Sequence, residues 1–251
     1  EGISLPEPKF SESEGDISEY VKVTVENKEL CPRYMARAVK NVKIGPSPKW
    51  MQERLSAAGV RPISNIVDIT NFVMLEYGQP LHAFDRDKLE GGRTEISVAR
   101  DGERIVTLDG QERVLTSADL LIRDGMKPVA LAGVMGGLDT EISDASRNVM
   151  VESAVFRPET IRKTARRLAL ASEASYRFER GVDQINSRFA MDRAVSLMAE
   201  LSGGVVRTGA CTQEPKLWAA PHPRFRVQRT VDLLGMDVEP AFCADTLERL
   251  G

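Results

Sequence analysis

His82 lies in the stretch GQPLHAFD, between a proline-stiffened turn and Asp85, and is one of two histidines in the chain. An imidazole there is either a packed corner residue or a proton acceptor. The second task requires a pocket and polar company. Glu152 is a carboxylate in an apolar run, NVMVESAVF. Strand alternation puts it on one face with Met150 and Ala154, where a charge without a partner is costly. Either that strand is an edge with a wet face, or the carboxylate aims into a pocket and accepts a hydrogen bond from a ligand hydroxyl.

The glycines of AGVMGG, at 133, 136 and 137, form a third group. They allow either a tight turn between strands or close approach of a ligand to exposed amides, which can hold an oxyanion. Neither G-x-G-x-x-G nor a Walker P-loop is present here, which argues against a dinucleotide cradle. The stretch RPETIRKTARRLALASEASYRFERG carries seven Arg and Lys against three Glu, in a chain of net charge -3. Arg162 and Arg166, like Lys163 and Arg167, are four apart and project from adjacent rows of one helix. The run is either a solvated face with internal ion pairs or a patch for phosphates. No aromatic residue falls between Arg157 and Arg167, so with no aromatic platform interleaved there the run speaks of backbone contact rather than base reading.

The elements that must position these groups follow from pattern. Val21–Val25 and Tyr34–Ile44 read as strands. Ser47 as N-cap and Pro48 at the first helical position open a helix that closes at Gly59. IVDITNFVMLEY stacks Ile66, Ile69, Val73 and Tyr77 at helical spacing, and Gly78 stops it. EISVAR, ERIVTL and ERVL then alternate around the hairpin signal Asp109-Gly110. Leu120–Arg123, Pro128–Leu131 and Val149–Val155 continue the strands. The pattern turns helical from Pro158 through Ser172, and again over Asn186–Leu201.

The fold class is α+β: a β-rich core, either a mixed sheet or a partly closed barrel, flanked by helices. Residues 1–29 read as a linker or the end of a preceding module, 30–204 as the main domain and 205–220 as a connector. Residues 221–251 read as the truncated start of a following helical module, since roughly thirty residues cannot bury a core alone.

A chain of 251 residues with 42% hydrophobic content can bury a substantial core. The small net charge excludes a protein that coats nucleic acid by bulk electrostatics. Three cysteines, odd in number, far apart and without metal-ligand spacing, point to a reducing, cytoplasmic setting. No apolar run reaches the roughly 18 residues of a membrane span.

The blocks NIVDITNFVMLEYGQPLHAFD, LAGVMGGLDTEIS and NVMVESAVFRPETIRKTARRLALASEASYRFERGVD together resemble the editing domain of the bacterial phenylalanine–tRNA ligase beta subunit, over roughly residues 30–204. The resemblance implies hydrolysis of tyrosine wrongly esterified to phenylalanine tRNA. Glu152 matches the position that reads the tyrosine hydroxyl. Thr70 and Asn71 match pocket-lining residues, with Asn71 and His82 near the ester end. Gly133 and Gly136 match the glycine loop beside the bound amino acid. Ser172 falls where the family often has Thr, and Ala174 matches the small residue that leaves room for the ring. If the basic run is a patch for phosphates rather than a solvated face, Arg162, Lys163, Arg166 and Arg167 are the residues expected to contact RNA.

The implied mechanism is water attack on the aminoacyl ester, with either His82 or a ribose hydroxyl assisting. The implied partners are the acceptor end of phenylalanine tRNA and a catalytic alpha subunit. ATP and Mg²⁺ belong to the holoenzyme, and no metal or other cofactor is expected in this part. The rival reading is a non-catalytic module for RNA docking and subunit assembly.

Overall fold

A computed structural model describes residues 8–214, 219 and 224–250. The chain divides into two compact units, Glu1–Leu217 and Trp218–Gly251.

The first unit is built on two sheets. Its strands are β1 (Glu12–Asp16), β2 (Lys22–Val25), β3 (Arg33–Lys40), β4 (Leu81–Asp85), β5 (Arg93–Val98), β6 (Arg104–Val106) and β7 (Glu112–Val114). They continue with β8 (Leu120–Arg123), β9 (Pro128–Leu131), β10 (Met135–Gly136), β11 (Val149–Val155), β12 (Val205–Thr208) and β13 (Cys211–Gln213). The first sheet runs β1-β12-β3-β11-β4, with β13 also paired to β3, and the second runs β10-β9-β8-β5-β2. Hairpin β6–β7 stands beside them. Both sheets mix parallel and antiparallel pairs and neither closes, so the open mixed sheet is the form adopted, not the barrel.

Alternation along the first sheet builds two cores. Tyr34, Ala36 and Ala38 of β3, Phe84 of β4 and Met150 and Ala154 of β11 face the second sheet. The intervening Met35, Val39, Ala83, Val149 and Val151 face a helical layer. That layer comprises α1 (Lys49–Ala57), α2 (Asn65–Tyr77) and α5 (Asn186–Ser202). Gly78, with φ 71°, takes the left-handed conformation that ends α2. Two further helices, α3 (Pro158–Arg167) and α4 (Glu173–Phe178), follow β11.

Several local expectations are corrected. Residues 12–16, read within a linker or preceding module, supply β1, the expected strand over Val21–Val25 is β2, and Ile17, Val21 and Val25 are buried in the core. The acidic, Gly-bearing sequence of β1 hid a strand whose pairing is supplied by distant β12. Ser47 does not cap α1. Pro48 is the N-cap, and the buried Ser47 hydroxyl donates instead to Asp68 on α2 at 2.5 Å. The helix from Pro158 stops at Arg167, because Ala169 takes φ 52° and the chain restarts as α4 only after Ser172. The strand from Tyr34 ends at Lys40, not Ile44. Val205–Thr208 and Cys211–Gln213, within the expected connector, are strands of the first sheet. The connector's later residues, 215–218 and 220, lie outside the described residues.

The second unit contains α6 (Val227–Leu234) and α7 (Pro240–Leu250). Cys243 is its buried apolar residue among those described, while Leu233, Leu234, Phe242 and Leu250 stay exposed. No helix among the described residues is long and apolar enough to cross a membrane.

Candidate functional site

A cavity of about 240 Å³ is walled by residues of both sheets and of α2 and α4. Its floor is the face of the first sheet that turns toward the second. β11 pairs with β3 on one side and β4 on the other, so it is an interior strand with no wet edge. In that register Glu152 stands directly opposite His82. Residues opposed in an antiparallel pair share a face, with Cβ atoms about 4.5–5.5 Å apart. Backbone hydrogen bonds therefore fix the spacing of the two groups.

Glu152 is 5% exposed and belongs to no ion pair among the described residues. Its Oε2 accepts a hydrogen bond from the hydroxyl of the fully buried Tyr34, at 3.3 Å. Burial raises the carboxyl to about 8, and the Tyr34 hydrogen bond only partly opposes this. Near neutral pH the cavity wall therefore carries a largely protonated acid, able both to donate and to accept.

His82 is half-buried and packs edge-on against Phe84, with ring centroids 4.4 Å apart. Burial lowers it to about 4, so the imidazole is neutral across the physiological range. A neutral ring accepts a hydrogen bond readily but is a weak base. Gly136 makes room for it: a Cβ there would come 2.5 Å from His82 Cε1.

The glycine turn joins β9 to β10. Gly133 has φ 66°, and a Cβ there would meet Phe156, Ile161 and Phe178 at 2.9–3.1 Å. Conformation and crowding together demand glycine at this position. The amides of Ala132, Val134 and Gly137 are donated to Leu120, Leu131 and Val129. Met135 and Gly136 pair with Leu131 and Ala130 as β10, so the turn is held to β9 through its own backbone.

Ser172 is the N-cap of α4. Its Oγ accepts from the Ser175 amide at 3.0 Å and donates to the Val134 carbonyl at 2.7 Å, tying the helix start to the glycine turn. Ala174, one residue into the helix, lines the cavity beside Phe178.

Asn71, His82, Gly133, Gly136, Glu152, Ser172 and Ala174 thus all border one hollow. Thr70 does not. It lies on the buried side of α2, and its hydroxyl donates to the Val67 carbonyl at 2.7 Å. Helical rotation separates it from its neighbour Asn71. Met74, Pro80, Leu108 and Ile122 are among the apolar lining residues and were not singled out from sequence, where they read as ordinary core and turn residues.

The basic run is divided by its ion pairs. Arg162, Lys163 and Arg166 lie on the exposed side of α3 and form no ion pair among the described residues. Arg167, also exposed, pairs with the buried Asp119 and donates to the Val114 carbonyl. Asp119 also accepts from Thr164 at 2.8 Å, so Arg167 ties α3 to the strands.

Residues 30–203 match the family described as the B3/4 domain. The phenylalanine--tRNA ligase beta subunit of Nitratidesulfovibrio vulgaris is 57% identical over 249 residues, covering 99% of this chain and 31% of that protein. That of Oleidesulfovibrio alaskensis is 55% identical, with the same coverage. The chain therefore spans about a third of the length of these relatives. Among solved structures, an N-terminal fragment of the phenylalanyl-tRNA synthetase beta subunit from Pyrococcus horikoshii superposes with a TM-score of 0.52 at 14% identity. That match covers 98% of this chain and 67% of the other, and it establishes a shared fold.

Proposed function

This chain belongs to the B3/4 domain family, and from that premise we propose that it forms part of a phenylalanine–tRNA ligase beta subunit and hydrolyses tyrosine wrongly esterified to phenylalanine tRNA. The observation that carries the reading is Glu152, a buried carboxyl without a countercharge among the described residues, at the wall of an amino-acid-sized cavity. A synthetic pocket shaped for phenylalanine is apolar and rejects an added hydroxyl only weakly, by about a hundredfold. A second site that demands the hydroxyl discriminates in the opposite direction. With tyrosine bound, the phenol pairs with Glu152. With phenylalanine bound, a buried polar group is left without its partner.

At the other end of the substrate, water attacks the ester carbonyl. Asn71 and the neutral His82 orient that water or the ribose hydroxyls, and the glycine turn faces the developing oxyanion. The ester bond breaks, releasing tyrosine and leaving the tRNA with its free terminal hydroxyl. Arg162, Lys163 and Arg166 offer an exposed cationic strip to the tRNA backbone. Aminoacylation itself falls to a catalytic alpha subunit with which the complete beta subunit assembles.

The test is deacylation of tyrosyl- and phenylalanyl-esters of phenylalanine tRNA by the complete enzyme carrying Glu152→Ala. The preference for tyrosine is expected to fall by about tenfold or more, the equivalent of one strong buried hydrogen bond. An unchanged ratio of kcat/KM values overturns the reading.

A further inference from the structure

Tyr34 lies in β3, one strand away from the cavity side of the Glu152–His82 pair, and no water reaches it. A fully buried phenol needs a reason for its hydroxyl, because a leucine or phenylalanine would fill the space at lower cost. Its hydroxyl donates to Glu152 Oε2 at 3.3 Å. Behind it stands Thr94 of β5, 1% exposed, whose hydroxyl helps hold the phenol's proton balance yet makes no hydrogen bond of good geometry. The two sheets thus contribute a file of three polar groups, Thr94, Tyr34 and Glu152, that ends at the cavity wall. The buried Cys31 thiol also stands near Tyr34 and Glu152, its titration pushed up by burial and by the carboxylate, and the layer around them includes the apolar Ala36, Ile96, Ile122 and Met150.

We propose that Tyr34 is a positioning residue for specificity: by engaging Oε2 from inside the core, it turns the other carboxyl oxygen of Glu152 toward the ligand. This rests on the reading of Glu152 given above and adds a residue that never touches the substrate. The consequence is directional. A neutral carboxyl that accepts at Oε2 carries its proton on Oε1, so the group facing the ligand is a donor below the carboxyl's titration and an acceptor above it. A phenol pairs with either form, more strongly with the ionised one because that hydrogen bond is charge-assisted, and a phenyl ring with neither. Without the Tyr34 hydroxyl, the carboxyl can rotate and exchange its two oxygens, and part of the discrimination is lost.

The experiment compares Tyr34→Phe with Glu152→Ala and wild type in the complete enzyme. It measures kcat/KM for tyrosyl- and phenylalanyl-ester hydrolysis from pH 6 to 9.5, alongside thermal melting. For Tyr34→Phe, the preference for tyrosine is expected to drop about three- to tenfold, the worth of one ordinary hydrogen bond. The pH midpoint of that preference is expected to move upward, because the lost donor favoured the ionised carboxyl. Thr94→Val, which keeps the shape behind the phenol, is expected to move both readouts the same way by a smaller amount, and it serves if Tyr34→Phe fails to fold. Loss of hydrolysis for both esters alike, with the ratio and midpoint unmoved, overturns the proposal and leaves Tyr34 a packing residue. An unchanged ratio in Glu152→Ala instead sinks the reading beneath it, so the two failures are distinct.

Discussion

At the residue scale, the two ionisable groups of the cavity are driven apart by the same force. Burial favours the neutral form of each, raising Glu152 to about 8 and lowering His82 to about 4. They stand opposite one another on adjacent strands but are not an ion pair among the described residues, and near neutral pH both are uncharged. This answers what kind of histidine His82 is: a cavity residue whose ring accepts hydrogen bonds rather than a strong base. His82→Ala is expected to slow hydrolysis of both esters roughly 5- to 100-fold, between the loss of one hydrogen bond and the loss of a proton-transfer group. In wild type, kcat/KM is expected to show no inflection near pH 6.5. A break there would mean that His82 titrates at its ordinary value and that its surroundings have been misjudged.

At the scale of elements, the site depends on a strand pair, a glycine turn and a helix start held together. Ser172 links the last two through the Val134 carbonyl. Gly136 carries a tighter constraint, since the ring of His82 occupies the space a side chain would need. Gly136→Ala is expected to push His82 from its seat and to reduce hydrolysis at least as far as His82→Ala does. Overpacking of this kind costs about 1–3 kcal/mol unless the ring swings into the cavity. A thermal melt paired with the two-ester assay separates these outcomes, and wild-type activity in this variant would contradict the assigned geometry. These relations were partly legible beforehand. The placement of Glu152 with Met150 and Ala154 follows from period-2 alternation alone, and Gly78 as a helix stop follows from its backbone freedom. Thr70 was not separable from Asn71 without the helix rotation. Tyr34 carried no signal at all, because its meaning lies in a partner 118 residues away.

For the whole molecule, the buried acid costs stability that the fold supplies elsewhere. The sign follows from the direction of each shift. Glu152, raised in the folded state, contributes stability that is full below about pH 4.5 and is lost as pH rises through about 8. His82, lowered when folded, contributes stability present above about pH 6.5 and lost as pH falls through about 4. Between about 4.5 and 6.5 the two slopes oppose each other, and above 6.5 only that of Glu152 remains. The protein is therefore expected to lose stability from pH 6.5 to 8 at up to about 1.4 kcal/mol per pH unit from this one group. Glu152→Gln is expected to flatten that slope, which denaturant unfolding at several pH values would reveal. An equal slope in wild type and variant would show that the carboxyl is not buried as described. At this scale the class of fold and most strands were readable from alternation and turn residues. The strand Glu12–Asp16 was not, because it is completed by a partner far along the chain.

Register in β11 has an evolutionary corollary. Substitutions along this strand can tune the pocket one side chain at a time, but an inserted or deleted residue cannot. Such a slip would reverse inside and outside for every position beyond it, sending the acid of Glu152 into the oily layer beneath the helices and bringing Val151 or Ser153 to the ligand. Descendants of this chain should therefore vary in loop length around the strand while its seven residues keep their count.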